Sequence, residues 1–339
     1  MITSRIRRFT ALGVAALFGL TACTASSQET GTTTGNATDG VTLGLTYIPN
    51  VQFSPVYVAN EQGLYAAAGT EVTVRHHGSD EGLFTALVSG EEDIVLASGD
   101  EVLQAREAGM DLVSVATYYA SHPVTFIVPT ESDIASLSDL KGRRIGVPGE
   151  YGSNWYALLA VLANEGLTRD DVEVVSIGYT QQAALAGGQV DVVVGFSNND
   201  LVQIQASGQE VRALNPDPEQ LPLVSASLVT TRTFAQEHPD TLRSVIKGTT
   251  DGINAVIADP EVAITATQTL DPTLSGEAVD TARAVLNATI TLWQNSDGTV
   301  SMRQDERKWA QMAAFFLTVP NVLSTPADLG AAMSNDYVS

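Results

Sequence analysis

An α/β fold of two lobes, each a mainly parallel sheet flanked by helices, is predicted by three observations. Short β-rich runs alternate with helical ones from Val41 onward. Runs such as residues 192–196 are apolar on both faces, as central strands covered by helices require. A strand–turn–helix unit also occurs twice: residues 93–109 read DIVLASGDEVLQAREAG and residues 191–208 read DVVVGFSNNDLVQIQASG, with one extra residue in the second copy.

The elements follow in order. Residues 41–48 form a first strand, and Pro55 opens a helix that stops near Gly63. A strand covers residues 71–77. Leu83, Phe84, Leu87 and Val88 recur at helical spacing between Asp80, an N-cap, and Gly90, which predicts a helix over 81–89. Strand 93–98, a helix to Gly109 and strand 112–119 complete the first series. The pattern then restarts with strand 124–128, a short helix around 136–140, strand 144–147, helix 153–165, and strands 172–177 and 190–196. An extended stretch at 223–231 precedes a helical remainder with helices 241–258, 261–270, 277–293 and 306–317. Two crossings, near 124–128 and near 225–230, divide the chain into a discontinuous first lobe (41–125 and 226–339) and an inserted second lobe (126–225). Two lobes joined by two crossings make a hinge with a cleft.

Both copies of the repeated unit place a polar turn after a buried strand and before a helix. Open α/β sheets present ligand-binding loops and free helix N–H groups at such positions. Ser98 to Asp100 and residues 197–199 are therefore expected to face each other across the cleft.

The N-terminal end of the chain carries an address. Arg5, Arg7 and Arg8 precede an apolar run from about Ala11 to Leu20, which is too short to span a bilayer and has the layout of a secretory signal. Leu20-Thr21-Ala22-Cys23 then matches the bacterial lipobox. Residues 1–22 are expected to be removed, and Cys23 to be lipidated at the new N-terminus, leaving the protein exported and anchored at the outer face of a bacterial cell membrane. Residues 23–40 are Ser-, Thr- and Gly-rich and read as a flexible tether with a reach on the order of 20–25 Å. No later stretch is apolar for long enough to be a transmembrane helix.

The chain has 17 Lys and Arg against 39 Asp and Glu, a net charge of −22 at pH 7. Such a surface repels polyanions, and no basic cluster is present to displace counterions, so nucleic acid is excluded as a partner. Cys23 is the sole cysteine, so no internal disulfide can form and stability must come from a buried core.

Tyr47-Ile-Pro-Asn50-Val-Gln-Phe53-Ser-Pro-Val-Tyr-Val-Ala59 continuing to Gly63-Leu-Tyr65, together with Gly146-Val-Pro-Gly-Glu150-Tyr151-Gly-Ser153 and Gly195-Phe-Ser-Asn198-Asn199, resembles the substrate-binding proteins of ABC importers for thiamine-precursor pyrimidines and riboflavin. The resemblance covers roughly residues 41–215. It implies a two-lobe type II periplasmic-binding fold, a small heteroaromatic ligand, an ABC permease and ATPase as partners, a monomer, and no cofactor. The Tyr-Ile-Pro-Asn-Val-Gln-Phe form looks more like the riboflavin branch. Nitrate, sulfonate and taurine binders share that fold, but their anionic ligands favour a basic cleft, which the few Lys and Arg near these loops do not suggest.

A flat heterocycle needs ring faces to stack on and directional groups to read its edge. Tyr47, Phe53, Tyr118, Tyr151 and Trp155 are the aromatic candidates; core packing is the other role open to each, in equal measure for Phe53 and Tyr118. Asn50, Asn198 and Asn199 offer amides, or serve as turn and cap residues. Ser98 is a candidate for ligand contact, Ser153 and Asn154 for ligand contact or helix capping, and Asp100 for ligand contact or for a helix-start charge. Glu150 can accept from a ring N–H, an amino group or hydroxyls, and in a closed cleft would require a donor partner.

Catalysis is the rival class, because a pyrimidine-synthesising enzyme of fungi resembles the same family and uses histidine and a cysteine-rich run. Here the cysteine is the anchor. His76 and His77 are adjacent on a strand and project to opposite faces, and His122 and His238 each precede proline. No metal-ligand spacing, phosphate loop or nucleophile elbow is present in the sequence, so no metal and no catalytic residue are expected. A ligand-sensing lipoprotein would use the same cleft.

Overall fold

The computed structural model describes residues 40–338 apart from 47 and 78–80. The leader, Cys23, the tether, Tyr47 and the Asp80 cap lie outside the described residues.

Ten strands form two five-stranded sheets among the described residues. The first contains β1 (Val41–Leu45), β2 (Val72–His76), β3 (Ile94–Ser98), β4 (Leu112–Thr117) and β10 (Ala226–Thr231), in the order β2-β1-β3-β10-β4. The second contains β5 (Val124–Pro129), β6 (Arg144–Val147), β7 (Glu173–Ser176), β8 (Val192–Phe196) and β9 (Val211–Leu214), in the order β7-β6-β8-β5-β9. β1 pairs in parallel with β2 and β3, and β6 with β7 and β8. β10 and β5 pair antiparallel with both of their neighbours, so each sheet is mixed. The reversed strand is in each case the first one after the chain changes sheets. Those crossings run through residues 118–123 and 215–225, just ahead of the stretches where the sequence places them.

The repeated unit occupies the same place in both sheets. β3 and β8 are each the central strand, and each is preceded by an aspartate that clasps its neighbour. Asp93 Oδ2 accepts from the Thr42 amide at 2.8 Å and the Asp93 amide donates to the Thr42 carbonyl at 2.9 Å. Asp191 makes the same pair with Arg144, at 2.9 and 2.8 Å.

Helices α1 (Ser54–Glu61), α2 (Leu64–Ala68), α3 (Thr85–Ser89) and α4 (Gly99–Glu107) belong to the first series, and α5 (Gly152–Asn164), α6 (Gln181–Ala186) and α7 (Asp200–Ala206) to the second. The C-terminal part supplies α8 (Arg232–Glu237), α9 (Pro239–Ala258), α10 (Pro260–Leu270), α11 (Glu277–Trp293), α12 (Glu306–Phe316) and α13 (Leu329–Ala332). The third helix begins at Thr85, not at residue 81, because the Thr85 amide closes a turn on the Gly82 carbonyl at 3.0 Å. α6 and β9 have no counterpart in the sequence reading. Six residues before the Gly187-Gly188 pair, and a four-residue edge strand that is nowhere fully buried, are too short for a periodicity to register.

α9 packs against α1 through Gly252, where a Cβ would sit 2.2 Å from the Pro55 carbonyl oxygen. Only a residue without that atom permits the approach. One apolar cluster joins β1, α1, α9 and α11 around Leu43, Val56, Ile253 and Trp293. A second runs from Val95 and Leu103 of the first series, through Trp309 and Phe316 of α12, to Phe126, Tyr156 and Val194 of the second. The two sheets therefore share a buried seam. No described helix is long and apolar enough to cross a membrane.

Candidate functional site

The loops at the carboxyl ends of β1, β3 and β4 meet those after β6 and β8, and direct polar contacts join them. Asn50 starts the sequence of contacts by accepting from the Gln52 amide at 3.1 Å and from its side-chain Nε2 at 3.2 Å. That caps the 3₁₀ turn Val51–Phe53 and orients Gln52. The Gln52 carbonyl accepts from the Tyr118 hydroxyl at 2.9 Å, while its Oε1 accepts from Asn198 Nδ2 at 3.0 Å across the seam. Asn198 Nδ2 also donates to Thr289 Oγ1 on α11 at 3.0 Å. Three sequence-distant elements thus converge on one amide.

Rings surround that point. Tyr118 lies 5.0 Å from Tyr119 and meets Trp293 edge-on at 6.1 Å, and Trp293 lies 6.4 Å from Tyr119. All three are buried. Burial pushes the Tyr118 and Tyr119 hydroxyls well above the ordinary phenol range, with the Asn198 side chain partly offsetting this at Tyr119, so both stay protonated and able to donate.

A second contact crosses the seam from α4. Asp100 is fully buried, and its Oδ1 accepts from Ser153 Oγ at 2.8 Å. Nearby, the Tyr156 hydroxyl donates to Gln104 Oε1 at 2.8 Å. Ser98 is taken up in a capping box, with Glu101 Oε2 accepting from its amide at 2.8 Å and its hydroxyl at 2.7 Å. Asp200 performs the equivalent task after β8, accepting from the Phe196 amide at 2.7 Å. One methylene less in the side chain matches one residue more in the turn. Burial raises both acids at the head of α4, and Asp100 beside it takes Glu101 up to about 7.

Several buried polar atoms here have no partner among the described residues: Ser54 Oγ, Asp100 Oδ2, Asn198 Oδ1, Asn199 Oδ1 and Trp293 Nε1. An unmet buried polar atom costs about 1–3 kcal/mol, so this concentration makes the place the candidate ligand site.

The other sequence candidates fall elsewhere. Glu150 is exposed and pairs with Arg169 at 3.1 Å, and Tyr151 is 55% exposed, so both stand at the rim. Asn154 Nδ2 donates to the Val194 carbonyl at 3.1 Å inside the second half, and Trp155 is packed into the seam cluster. Phe53 is half-buried with its ring 6.1 Å from that of His76. His76 and His77 do point apart: His76 Nε2 meets the Tyr57 hydroxyl at 3.1 Å, whereas His77 Nε2 reaches the buried Glu92 carboxylate at 2.8 Å. The two turns after β3 and β8 both lie at the seam, but each engages a different partner, Ser153 for one and Gln52 with Thr289 for the other.

Gln52, Tyr119, Thr289 and Trp293 belong to the candidate site and were missed by the sequence reading. Gln52 and Tyr119 adjoin named candidates. Thr289 and Trp293 share one face of α11 at i, i+4 spacing, a pattern that by itself reads only as core. Of two crevices of about 560 and about 580 Å³, one lies beside Trp309 and Asn335 and the other beside Tyr179 and Gln182, the latter reaching Asp200 at the turn after β8. No cluster of His, Cys, Asp and Glu suited to a metal ion occurs among the described residues.

A family model described as NMT1/THI5 like matches residues 50–263. The riboflavin-binding protein RibY of Chloroflexus aurantiacus is 30% identical over 352 residues, covering 98% of this chain and 97% of that protein. The formylaminopyrimidine-binding protein of Halalkalibacterium halodurans is 25% identical, covering 71% of this chain and 73% of its own. More distant relatives bear the name 4-amino-5-hydroxymethyl-2-methylpyrimidine phosphate synthase. Among solved structures, the periplasmic aliphatic sulphonate binding protein SsuA of Escherichia coli superposes with a TM-score of 0.69 at 17% identity, covering 86% of this chain and 91% of that one.

Proposed function

The chain belongs to the NMT1/THI5-like family, and on that premise we propose that it is the substrate-binding protein of an ABC importer, holding a flat vitamin-type heteroaromatic, riboflavin by preference, between its two sheets. The observation that carries this reading is the convergence of Tyr118, Tyr119 and Trp293 with the Asn198 amide at the seam. Rings supply stacking faces, and unmet amide, carboxylate and indole groups read the edge. The relationship to RibY over nearly the whole chain supports riboflavin within that class.

In this reading, residues 118–123 and 215–225 flex, the halves part to admit ligand, and contacts from both sides favour the closed form that a permease recognises. Lipidation at Cys23 keeps the protein at the outer face of the membrane. Import requires release, so an affinity between nanomolar and micromolar is expected, about −12 to −8 kcal/mol.

Binding without turnover is the role the site supports. Its polar groups are amides, hydroxyls and two carboxylates at a helix start, and His122 is held neutral, pushed down to about 4 by burial and by the nearby Lys308 charge. Titration of the purified chain with riboflavin and with hydroxymethylpyrimidine, followed by chromatography of the recovered ligand, is the test. Saturable riboflavin binding with unaltered ligand supports the proposal. Preference for the pyrimidine moves the chain to the thiamine-precursor branch, and a new product would make it an enzyme.

A further inference from the structure

We propose that the ring cluster of Tyr118, Tyr119 and Trp293 gives the site a second activity, protection of a bound flavin against light: Trp293 lends an electron to the light-excited ligand and takes it back before the ligand can break down. The inference rests on the proposed riboflavin-binding role and adds an activity that capture and delivery do not require.

An excited flavin is a strong oxidant, and an electron-rich ring in contact with it reduces it by one electron. Left alone, the same excited state attacks its own polyol chain. An indole is oxidised more readily than a phenol, so Trp293 is the donor within the cluster. It stands 6.1 Å from Tyr118 and 6.4 Å from Tyr119, one helical turn beyond the Thr289 that Asn198 contacts. A ligand held by the proposed contacts would lie against it.

Whether the electron returns decides between protection and damage. The transfer leaves an indole radical cation, which is lost irreversibly when its N–H proton passes to a base. Trp293 Nε1 has no hydrogen-bond partner among the described residues. In the proposed binding mode the only acceptor it meets is the flavin, so an electron that crosses, with or without that proton, has a single way back.

The tyrosines do not drain the indole either, because a phenol is stably oxidised only when its proton leaves as well. The Tyr118 hydroxyl donates to the Gln52 carbonyl at 2.9 Å, an amide oxygen and not a base, and the amide of Asn198 faces Tyr119. The titratable groups around Tyr118 are themselves phenols, those of Tyr119, Tyr65 and Tyr57. No cysteine occurs beyond residue 23, so no thiol of the body can be consumed. All three rings are buried, and the oppositely charged pair that the transfer creates attracts far more strongly there than in water. The balance needs no co-reactant: one electron leaves the indole, the flavin gains it, and the same electron returns, with the absorbed light released as heat.

The experiment illuminates riboflavin with and without a saturating amount of the full chain, purified in detergent, with occupancy fixed by equilibrium dialysis in the dark. Bound riboflavin is expected to lose most of its emission and to break down more slowly than free riboflavin, while the tryptophan content of the protein stays constant. Bound riboflavin that is as light-sensitive as the free vitamin, or a steady loss of tryptophan, overturns the inference and leaves the binding role intact. Absence of binding in the dialysis overturns the role and the inference with it. Trp293→Phe keeps a ring that the excited flavin does not oxidise; at saturation its complex should be brighter and should break down faster than the wild-type complex, and equal values in the two proteins overturn the assignment to Trp293. If that variant does not fold, transient absorption of the wild-type complex decides. The band of an oxidised indole should rise as the excited flavin decays and vanish as the ground state recovers, and its absence overturns the assignment.

Discussion

Asn198 and Gln52 are 146 positions apart in the chain, yet the Asn198 Nδ2 donates to Gln52 Oε1 at 3.0 Å across the seam between the two sheets. The same nitrogen donates to Thr289, while the amide oxygen is buried without a partner. Asn198 is thus a clasp between the halves and, in the proposed function, an acceptor for ligand. Asn198→Ala removes both roles. Riboflavin affinity is expected to fall about 10- to 100-fold, since a buried hydrogen-bonding group is worth about 1–3 kcal/mol. Fluorescence titration measures it, and affinity within twofold of wild type would remove Asn198 from the site.

Trp293 separates stacking from hydrogen bonding. Trp293→Phe retains a ring against Tyr118 but deletes the unmet indole N–H, so the expected result is a loss of about three- to tenfold in affinity with a modest change in melting temperature. Trp293→Ala also empties a fully packed position and should cost about 3–5 kcal/mol of stability. Equal affinity loss without loss of stability in the alanine variant would contradict this placement.

Stability should fall as pH rises from the ordinary carboxylate range toward 7. Burial lifts Asp100, and burial with the neighbouring Asp100 charge lifts Glu101 to about 7. The folded chain therefore holds protons that the unfolded chain has already released. This contribution is complete below about pH 4, the unfolded value, and is lost as pH passes through the folded values. Asp100→Asn should flatten that slope. Melting temperature recorded from pH 4.5 to 7.5 in both proteins measures the difference, and parallel curves would argue against it. Paired surface acids act in the opposite sense: Asp171, drawn down to about 2 mainly by the Thr168 amide and by Lys141, stabilises the fold above the usual range and ceases to do so in strong acid.

Cys23→Ser should release the protein from the membrane. The proposed address lies within residues 1–23, and no described helix of the body is long and apolar enough to cross a membrane. Membrane fractionation before and after the substitution checks it, with unchanged retention as the contrary result.

Much of the architecture was legible because it is local. The strand–helix alternation, the two apolar central strands and the duplicated unit are all patterns within 20 residues, and the structure puts both copies at the same sheet position with the same aspartate clasp. The candidates divided according to how much of their role was local. Asn50 shows the turn chemistry that its neighbours specify, whereas Ser98, named for ligand contact, is taken up by Glu101 in a capping box. Asp100, Ser153 and Asn198 were nameable as polar residues in strand-end loops, but their partners were not.

Chain order alone was enough for the βα alternation, the acidic surface charge, the absence of internal disulfides and the family resemblance, since each depends on composition or on neighbours a few residues apart. Folding settled which side chains meet. Gln52, Tyr118, Asn198 and Thr289 come from four separate stretches, and α11 reads as an ordinary amphipathic helix until its Thr289 and Trp293 face is packed against the loops after β1, β4 and β8. Periodicity reports which face of an element is buried; it holds no information about what that face is buried against, and here that partner is the whole content of the site.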